Sequence, residues 1–574
     1  MVLVMVAIPV VALNVLSPAA YGQASSNSDA VGKVTDTTGA VIPGAVIHLV
    51  NNATGAERVA TSNDSGDWVI PNIPPASYHL RIEKSGFKSA EIKALDVEIG
   101  KTANSTVALS IGATNETVEV TSLPPQLQTQ EATVGQVIDQ KQISDLPLNG
   151  RNVLQLATLA PGVSPPQTGQ TGSPGRFGTR QLFITVDGGR GSSTNYVLDG
   201  TYVRSIRFNN LSFQPNIDTL QEFNLLRNSF STEYGQGQAV VSMVTKAGGN
   251  SVHGTIYDFA RNSVFDARNY FATTVSNPVK PNFSRQQFGG TVGFPIKKDK
   301  LFLFAGYEGL RTNRDTPLFG YYPTAAQLGT PTYTAAQVIL PYVPVATTTA
   351  KIYNAGSANY AVTPTATDNY NQYTGRADQT LSARNSLFER YVEYKSNQFL
   401  PNIQGGINNT LNARNGVIGH TFLLSPNIVN EARIGYNLYF NFENGVSVAP
   451  GTNFASLEGL KFVTGLTDPT QFGRANFTIT PFTSLGVDSV TNQGGKENII
   501  SLGDSVSFVH GKHTMKAGFQ FQNRRVFLIA DNNASGAFTF ADCTAPKYAA
   551  GYTPLFPGDP ANITSVGTCA LRTC

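Results

Sequence analysis

Residues 371–394 read NQYTGRADQTLSARNSLFERYVEY. Gln372, Thr374, Arg376 and Asp378 are polar, while Tyr373 and Ala377 lie between them, so an extended chain here has one polar and one apolar face. The same texture recurs on either side of this stretch. SRQQFGGTVGFPI (284–296) and LFLFAGYEGLR (301–311) flank the short polar turn Lys297-Lys298-Asp299-Lys300. NGVIGHTFLLSPNIVNEARIGYNLYFNF (415–442) and IISLGDSVSFVHGKHTMKAGFQFQNRRVFLI (499–529) read as two more hairpins. From His253 onward the pattern predicts eight or nine strands of about 10 residues, the signature of a transmembrane antiparallel β-barrel. Short turns of the periplasmic kind alternate with long Thr/Pro/Asn-rich tracts at 313–368 and 443–492, which suit extracellular loops. A soluble propeller or sandwich array would instead show loops of even length.

Composition points the same way. Only 14% of the 574 residues are charged, against about 25% in an average soluble domain. There are 54 glycines and 32 prolines, with 33 Phe and 22 Tyr beside a single tryptophan, Trp68. A helical bundle would be richer in Ala, Glu, Lys and Leu. The 41% apolar content argues against disorder, and a net charge of +3 is too balanced to imply a nucleic-acid partner.

The first 16 residues are uncharged and almost wholly apolar, with Gly22-Gln23-Ala24 behind them, so residues 1–24 are expected to be a signal peptide cut after Ala24. No Lys or Arg precedes the apolar run, which leaves the true start codon open. No later stretch is apolar enough for a membrane-spanning helix, but an exported chain can still enter a membrane as a closed barrel. Cys543, Cys569 and Cys574 are odd in number; a Cys543–Cys569 bridge is one arrangement, and the pairing stays open.

Residues 25–112 carry short strands with turn signals every 8–12 residues, the texture of a β-sandwich. Tyr78, Leu80 and Ile82 alternate with His79, Arg81 and Glu83. GKVTDTTGAVIPGAVIHLVNNATG (32–55), SNDSGDWVIPNIPPASYHLRI (62–82) and Lys84-Ser85-Gly86-Phe87 resemble the carboxypeptidase-regulatory-like domain, a seven-stranded prealbumin-like sandwich. Ser77 replaces the usual Gly before the central Tyr. Relatives of that sandwich bind carbohydrate, which makes Trp68 and Tyr78 candidate glycan contacts, although single aromatics within strands are more often core.

Residues 113–125 form a linker. Within it Glu116, Thr117, Val118, Glu119, Val120 and Thr121 alternate polar and apolar and lie outside any packed unit, free to add as a strand to another sheet. Taken alone the segment is the last strand of the sandwich; in its place in the chain it resembles a TonB box. Residues 126–250 mix turns with short helical and strand patterns. ISDLPLNGRNVLQLATLAPGV (143–163), FITVDGG (183–189), NYVLDG (195–200) and the run from Ile217 to Asn250 together resemble the plug domain of TonB-dependent receptors, most closely the Oar-like group.

That resemblance implies a mainly β chain: a seven-stranded sandwich, an α/β plug, then a transmembrane barrel over 251–574. It implies that Asp187, Asp199, Glu222, Arg227 and Glu233 serve as ionic contacts between plug and barrel wall. The implied partners are TonB with the inner-membrane energising complex, outer-membrane lipid, a surface lipoprotein and an extracellular carbohydrate or peptide ligand. The implied place is the outer membrane of a Gram-negative bacterium, with the sandwich on the periplasmic side. A plugged barrel of this class has about 22 strands. Eight or nine cannot close around a plug, so the chain is expected to be the N-terminal part of a longer receptor.

Enzyme motifs fail. Gly100-Lys101-Thr102 would end a P-loop, but Leu95 stands where the first Gly belongs. Gly188-Gly189-Arg190-Gly191-Ser192 lacks the Lys. His510 and His513 flank a turn and make at best a weak metal pair, and no nucleophile elbow is present. No catalytic residue, metal or cofactor is expected. The rival to the receptor is a surface adhesin or carbohydrate-binding protein built from the sandwich and a β scaffold.

Overall fold

The computed structural model describes residues 27–112, 117–119, 134–146, 148–168, 182–227, 230–235, 237–268, 280–328, 343–346, 358–403, 405–446, 476–479, 482–484, 493–511, 513–530 and 537–540. The expected signal peptide, the three cysteines, Glu116, Val120 and Thr121 lie outside them.

The N-terminal sandwich comprises β1 (Ser28–Asp36), β2 (Val46–Asn51), β3 (Glu57–Thr61), β4 (Asp67–Ile73), β5 (Ala76–Glu83), β6 (Ser89–Val97) and β7 (Ala103–Leu109). One sheet runs β4-β1-β7, with β1 and β7 parallel. The other runs β3-β2-β5-β6 and continues into β8 (Thr117–Glu119). The inward positions of each strand supply the core: Ile47 and Leu49 from β2, Trp68 and Ile70 from β4, Tyr78, Leu80 and Ile82 from β5. Trp68 and Tyr78 are 2% and 3% exposed. Neither ring face is open to a sugar, which corrects their candidacy as glycan contacts. The Tyr78 hydroxyl donates to the Pro74 carbonyl at 2.7 Å, satisfying the one polar atom that burial would strand.

The segment around β8 is also corrected in part. Thr117, Val118 and Glu119 are not outside a packed unit: they pair in parallel with Ser89, Ala90 and Glu91 of β6. A free β6 edge and an alternating segment eight residues beyond Leu109 meet the ordinary condition for adding a strand.

The plug contains β9 (Val134–Ile138), β10 (Val163–Thr168), β11 (Leu182–Val186), β12 (Thr194–Leu198), β13 (Thr201–Tyr202), β14 (Leu220–Arg227) and β15 (Ala239–Thr245). Its main sheet runs β13-β12-β15-β14-β9, with β12 and β15 parallel. Asp139 caps the short helix Gln140–Asp145 by accepting from the Gln142 amide at 2.8 Å. Behind Asn149-Gly150 lies a 3-10 segment, Val153–Leu159. Val153, Leu154 and Leu156 are buried, whereas Leu159, the last residue of the segment, is exposed.

The third unit is one nine-stranded antiparallel sheet. It contains β16 (His253–Asn262), β17 (Phe283–Lys297) and β18 (Leu301–Asp315), then, after the small pair β19 (Leu318–Gly320) and β20 (Tyr360–Val362), β21 (Thr365–Ser382), β22 (Asn385–Asn402), β23 (Gly405–Ser425) and β24 (Ile428–Val446). β25 (Asn476–Ile479) lies outside it and pairs with β28 (Ala537–Phe540), while β26 (Gln493–His510) and β27 (His513–Ala530) complete it. Every neighbour in this sheet is sequential along the chain. Most strands are 15–21 residues long rather than about 10. At a rise of about 3.3 Å and a tilt near 40°, 18 residues climb roughly 45 Å, well beyond an apolar band of about 25 Å. Their upper halves therefore stand outside the bilayer, where alternation no longer reports lipid. On one face Arg390, Val392, Tyr394 and Gln398 are buried toward the plug; on the other Tyr373, Tyr391, Ile418, Ile434 and Leu502 are exposed. Among the described residues the sheet is open, β16 pairing with β17 alone and β27 with β26 alone.

Gly32 is the tightest point of the sandwich. A Cβ there would lie 1.8 Å from the Ser105 carbonyl oxygen and 2.7 Å from the Trp68 ring. Gly32→Ala should destabilise this unit by about 3 kcal/mol. Trp68 is the one tryptophan in the chain, so its fluorescence during urea unfolding reads the sandwich separately. The midpoint should fall in the variant, and an unchanged midpoint would contradict this packing.

Candidate functional site: the plug and its anchors

One anchor of the plug is the tip of a hairpin. β12 and β13 are joined by Asp199-Gly200, with φ of 48° and 79°, so both turn residues are left-handed and Leu198 pairs directly with Thr201. That is the two-residue turn whose twist suits a hairpin, and Asp is among the few side chains that tolerate it. The turn aims the Asp199 carboxylate at the barrel wall. Arg390 Nε on β22 donates to Oδ2 at 3.0 Å and Arg376 Nη1 on β21 donates to Oδ1 at 3.3 Å. The Thr245 amide and hydroxyl each donate at 2.9 Å. Arg390 also donates to the Leu198 carbonyl at 2.9 Å, and Arg376 is shared with Asp378 at 2.8 Å. The Arg390 and Asp199 side chains are 0% and 2% exposed, so neither charge can be completed by water.

A second anchor has the opposite polarity and escaped the sequence reading. Arg151, in a left-handed conformation at φ 54°, leaves the plug and lies 4.6 Å over the rings of both Tyr257 and Phe259 on β16. It pairs with Asp218 of the plug and sits 3.6 Å from Glu308 on β18. Tyr257 and Tyr370 hydroxyls donate to the two Glu308 oxygens at 2.9 and 2.7 Å. The Asn-Gly-Arg-Asn run was the available signal, but nothing local separates an anchor arginine from an exposed one.

A third set grips the loop after β13. Glu497 on β26 accepts from the Ile206 amide, and from Ser205 Oγ at 3.1 Å. Asn437 on β24 donates to the Arg204 carbonyl at 3.0 Å, and Asn415 on β23 donates to the Tyr202 carbonyl at 3.1 Å.

The other candidate contacts divide. Glu233 reaches the barrel, with Lys516 Nζ on β27 at 2.6 Å. Asp187 and Arg227 pair with each other at 3.2 Å within the plug. The Asp187-Gly188 turn is left-handed like its counterpart, but it joins β11 and β12, which do not pair with each other. Glu222 turns the other way, toward the sandwich: its Oε2 accepts from the Ile99 amide at 2.7 Å, while Asn224 Nδ2 donates to the Ile99 carbonyl at 2.8 Å. Gly100, at φ 65°, brings this turn in; a Cβ on it would lie 2.9 Å from Asn224. The sandwich also meets the short-turn end of the barrel, where the Asn250 amide donates to the Ala53 carbonyl at 2.8 Å and Asn250 Nδ2 donates to Asp299 at 2.7 Å.

A domain seated against the polar concave face of a lipid-facing antiparallel sheet, with a further domain beneath its short turns, defines a plugged outer-membrane barrel protein. Three family matches agree. Residues 30–110 match the carboxypeptidase regulatory-like domain, 127–240 the TonB-dependent receptor plug domain, and 244–568 the outer membrane beta barrel domain. The chain belongs to the TonB-dependent receptors of the Gram-negative outer membrane, a family of receptors and transporters rather than enzymes. It is 27% identical over 263 residues to the TonB-dependent transporter Oar of Myxococcus xanthus, a match covering 44% of this chain and 24% of that protein. The match thus spans about a quarter of the length of that relative. The outer membrane transporter YddB from Escherichia coli is 10% identical, with 69% of this chain and 48% of that one covered at a TM-score of 0.46. The ferric enterobactin receptor PfeA from Pseudomonas aeruginosa is 14% identical, with 69% and 49% covered at a TM-score of 0.42.

Two expectations follow from the anchors. Asp199→Asn leaves Arg390 buried without its carboxylate while Arg376 keeps Asp378. Breaking such a pair costs about 3–5 kcal/mol. In the full-length receptor, limited proteolysis in urea should open the plug of the variant well below the concentration needed for the parent, with heat-modifiable migration of the barrel retained.

The second concerns pH. Burial raises the Glu222 carboxyl to about 7; the Ile99 amide opposes that shift and Glu98 adds to it, with Lys101 and Asp96 also facing the group. The docked form therefore holds its proton more tightly than an undocked one titrating near 4.5. Docking is strongest below about pH 4.5 and weakens by at most about 3 kcal/mol as pH rises to about 7. Amide exchange at Ile99, corrected for intrinsic rates, should show more protection at pH 5 than at pH 8. Glu222→Gln should flatten that difference.

Proposed function

We propose that the chain forms the N-terminal part of a TonB-dependent receptor that takes up a bulky solute, an oligosaccharide or oligopeptide, across the outer membrane. The observation that carries the reading is the state of Thr117–Glu119. This strand is three residues long and sits at a sheet edge, pairing on one side only. Its one described side-chain tie, Lys93 to Glu119 at 2.7 Å, is exposed on both partners and so is screened by solvent. An edge strand of this kind exchanges readily for a strand of another protein. TonB would take up the segment Glu116–Thr121 through main-chain hydrogen bonds. The inner-membrane energising complex would then supply the pull.

The plug is suited to displacement. Its contacts with the wall are mostly charged or amide groups, and water entering the lumen can replace each of them. Both edges of the nine-stranded sheet carry apolar residues, with Ile256 on β16 at 95% exposure and Phe527 on β27 at 66%. Unpaired backbone in lipid costs several kcal/mol per group. We therefore propose that further strands pair with both edges and close the barrel.

Proline at Val118 removes an amide donor and disfavours strand pairing. In the full-length receptor, Val118→Pro should abolish energy-dependent accumulation of a labelled oligosaccharide or oligopeptide cargo, by tenfold or more in order of magnitude, and leave equilibrium binding at the cell surface intact. Undiminished uptake in that variant would remove the assigned role of this strand. Release of the protein by carbonate extraction would favour the adhesin instead.

A further inference from the structure

The sandwich touches the barrel at places far apart along the wall. On one side its β2–β3 turn meets the joint between plug and barrel. There Ala53 accepts from the Asn250 amide, and Asn250 and Asp299 bond each other twice, at 2.7 and 2.9 Å. Asp299 lies in the turn between β17 and β18. On the other side Asn63 Nδ2 lies 3.5 Å from the Gly511 carbonyl oxygen, in the turn between β26 and β27, and β4 runs close to β26. Five strand spacings of about 4.8 Å separate β18 from β26, which a tilt near 40° widens to roughly 30 Å along the rim. A compact unit of this length is itself about 30 Å across, so the one domain reaches from side to side of the mouth.

Its first residues go further in. Glu431 on β24 and Lys516 on β27 face the lumen about 10 Å above the periplasmic turns, at a rise of about 3.3 Å per residue and the same tilt. Asn27 Nδ2 donates to Glu431 Oε1 at 3.3 Å. The Asp29 carboxylate accepts from the Asn72 amide at 2.8 Å and lies in electrostatic range of Lys516 and Glu233. One wall lysine thus faces a carboxylate of the plug and another of the sandwich. Between them Ser28 Oγ donates to the Glu98 carbonyl at 2.6 Å and accepts from the Gly100 amide at 3.0 Å. That ties the start of β1 to the turn that carries Ile99 into the plug. A domain trailing on a linker would need none of these wall contacts. Each is a single amide, carboxylate or ammonium contact, which water replaces at small net cost, whereas the core of the sandwich is dry. Such a body is seated and unseated whole.

We infer that the sandwich is the exit gate of the lumen: docked, it closes the periplasmic mouth, and it swings out as a folded unit before a bulky solute can leave. The inference rests on the uptake reading for what passes through, while closure of the mouth belongs to the docked chain itself.

A disulfide tests it. A Cβ on Gly249 would lie 3.5 Å from the Ala53 Cβ, a span that a disulfide bridges. Gly248 beside it packs on the Leu303 carbonyl of β18, so A53C/G249C fastens the sandwich to the barrel base. With that corner fixed, the other docks re-form intramolecularly. The full-length receptor, in the Asp199→Asn background so that the plug opens in mild urea, is reconstituted in liposomes loaded with a fluorescent maltodextrin. Efflux in urea should be about tenfold slower in the oxidised double-cysteine protein than after its reduction, with A53C and G249C alone indifferent to reductant. Removal of residues 27–112 should give efflux as fast as the reduced form. Equal efflux before and after reduction would overturn the gate, and failure of the bridge to form on non-reducing gels would contradict the docked position. Recovery of efflux in the oxidised protein on adding E222A/N224A, which frees the plug from Ile99, would also overturn it, since the bridge would then have acted by holding the plug back. Neither TonB nor an energised membrane is present, so failure of the gate leaves the uptake reading standing, and loss of that reading leaves the efflux difference in place.

Discussion

The Asp199 carboxylate, shut away from water between Arg390 and Arg376, is the constraint around which the plug is placed. Such an arrangement is stable only when every part is present. Two guanidinium groups brought together on neighbouring strands would repel, and one carboxylate without them could not stay ionised there. Thr245, from the strand parallel to β12, supplies the remaining donors. The anchor therefore ties the register of β12 against β15 to the register of β21 against β22. Neither sheet can slip by a residue without moving a charge to the wrong face.

The interfaces of this molecule are of two kinds. Inside the sandwich, rings and branched aliphatics close on one another without water, and Gly32 shows how little space remains. Between plug and wall, amides, carboxylates and guanidinium groups do the joining, with a small apolar patch from Val392, Tyr394, Leu411 and Tyr439. A dry interface resists separation in proportion to its area. A polar one exchanges its hydrogen bonds for water at small net cost, provided that no buried charge is stranded on the way. The sandwich is thus built to stay folded and the plug to be held in place yet remain hydratable.

Much of this was legible in the sequence, and the exceptions share a cause. Alternation marked the barrel strands because lipid on one face and polar contacts on the other impose a period of two. It misjudged their length because above the bilayer neither solvent enforces it. The Asp-Gly dipeptides mark two left-handed turns, of which only Asp199-Gly200 closes a hairpin, but not which carboxylate would meet an arginine of the wall: among the described residues Asp199 does so, while Asp187 pairs with Arg227 of the plug. Glu222 and Asp199 look alike in one dimension, and only the tertiary fold sends one to the sandwich and the other to the wall. Arg151 was invisible for the same reason, since its partners lie far along the chain in Tyr257, Phe259 and Glu308. Trp68 and Tyr78 had a sugar-binding reading and a core reading, and packing decided for the core.

The order of events under tension follows from where the weak links lie. A pull on the segment around Val118 first meets its pairing with β6, a short parallel run at an edge. If TonB strips that strand away, the sandwich is bypassed, and force passes along the linker directly to β9 at the edge of the plug sheet. If the pairing holds, force enters the sandwich, whose core will not yield before its attachment to the plug. That attachment is the pair of bonds between Ile99 and the side chains of Glu222 and Asn224. In both routes the load arrives at the sheet of β9, β14 and β15, which ends on Thr245 and the Asp199 anchor. Under the proposed pull, the buried ion cluster would be loaded only after those weaker links, and water would have to reach Arg390 and Arg376 before the plug could leave this part of the wall.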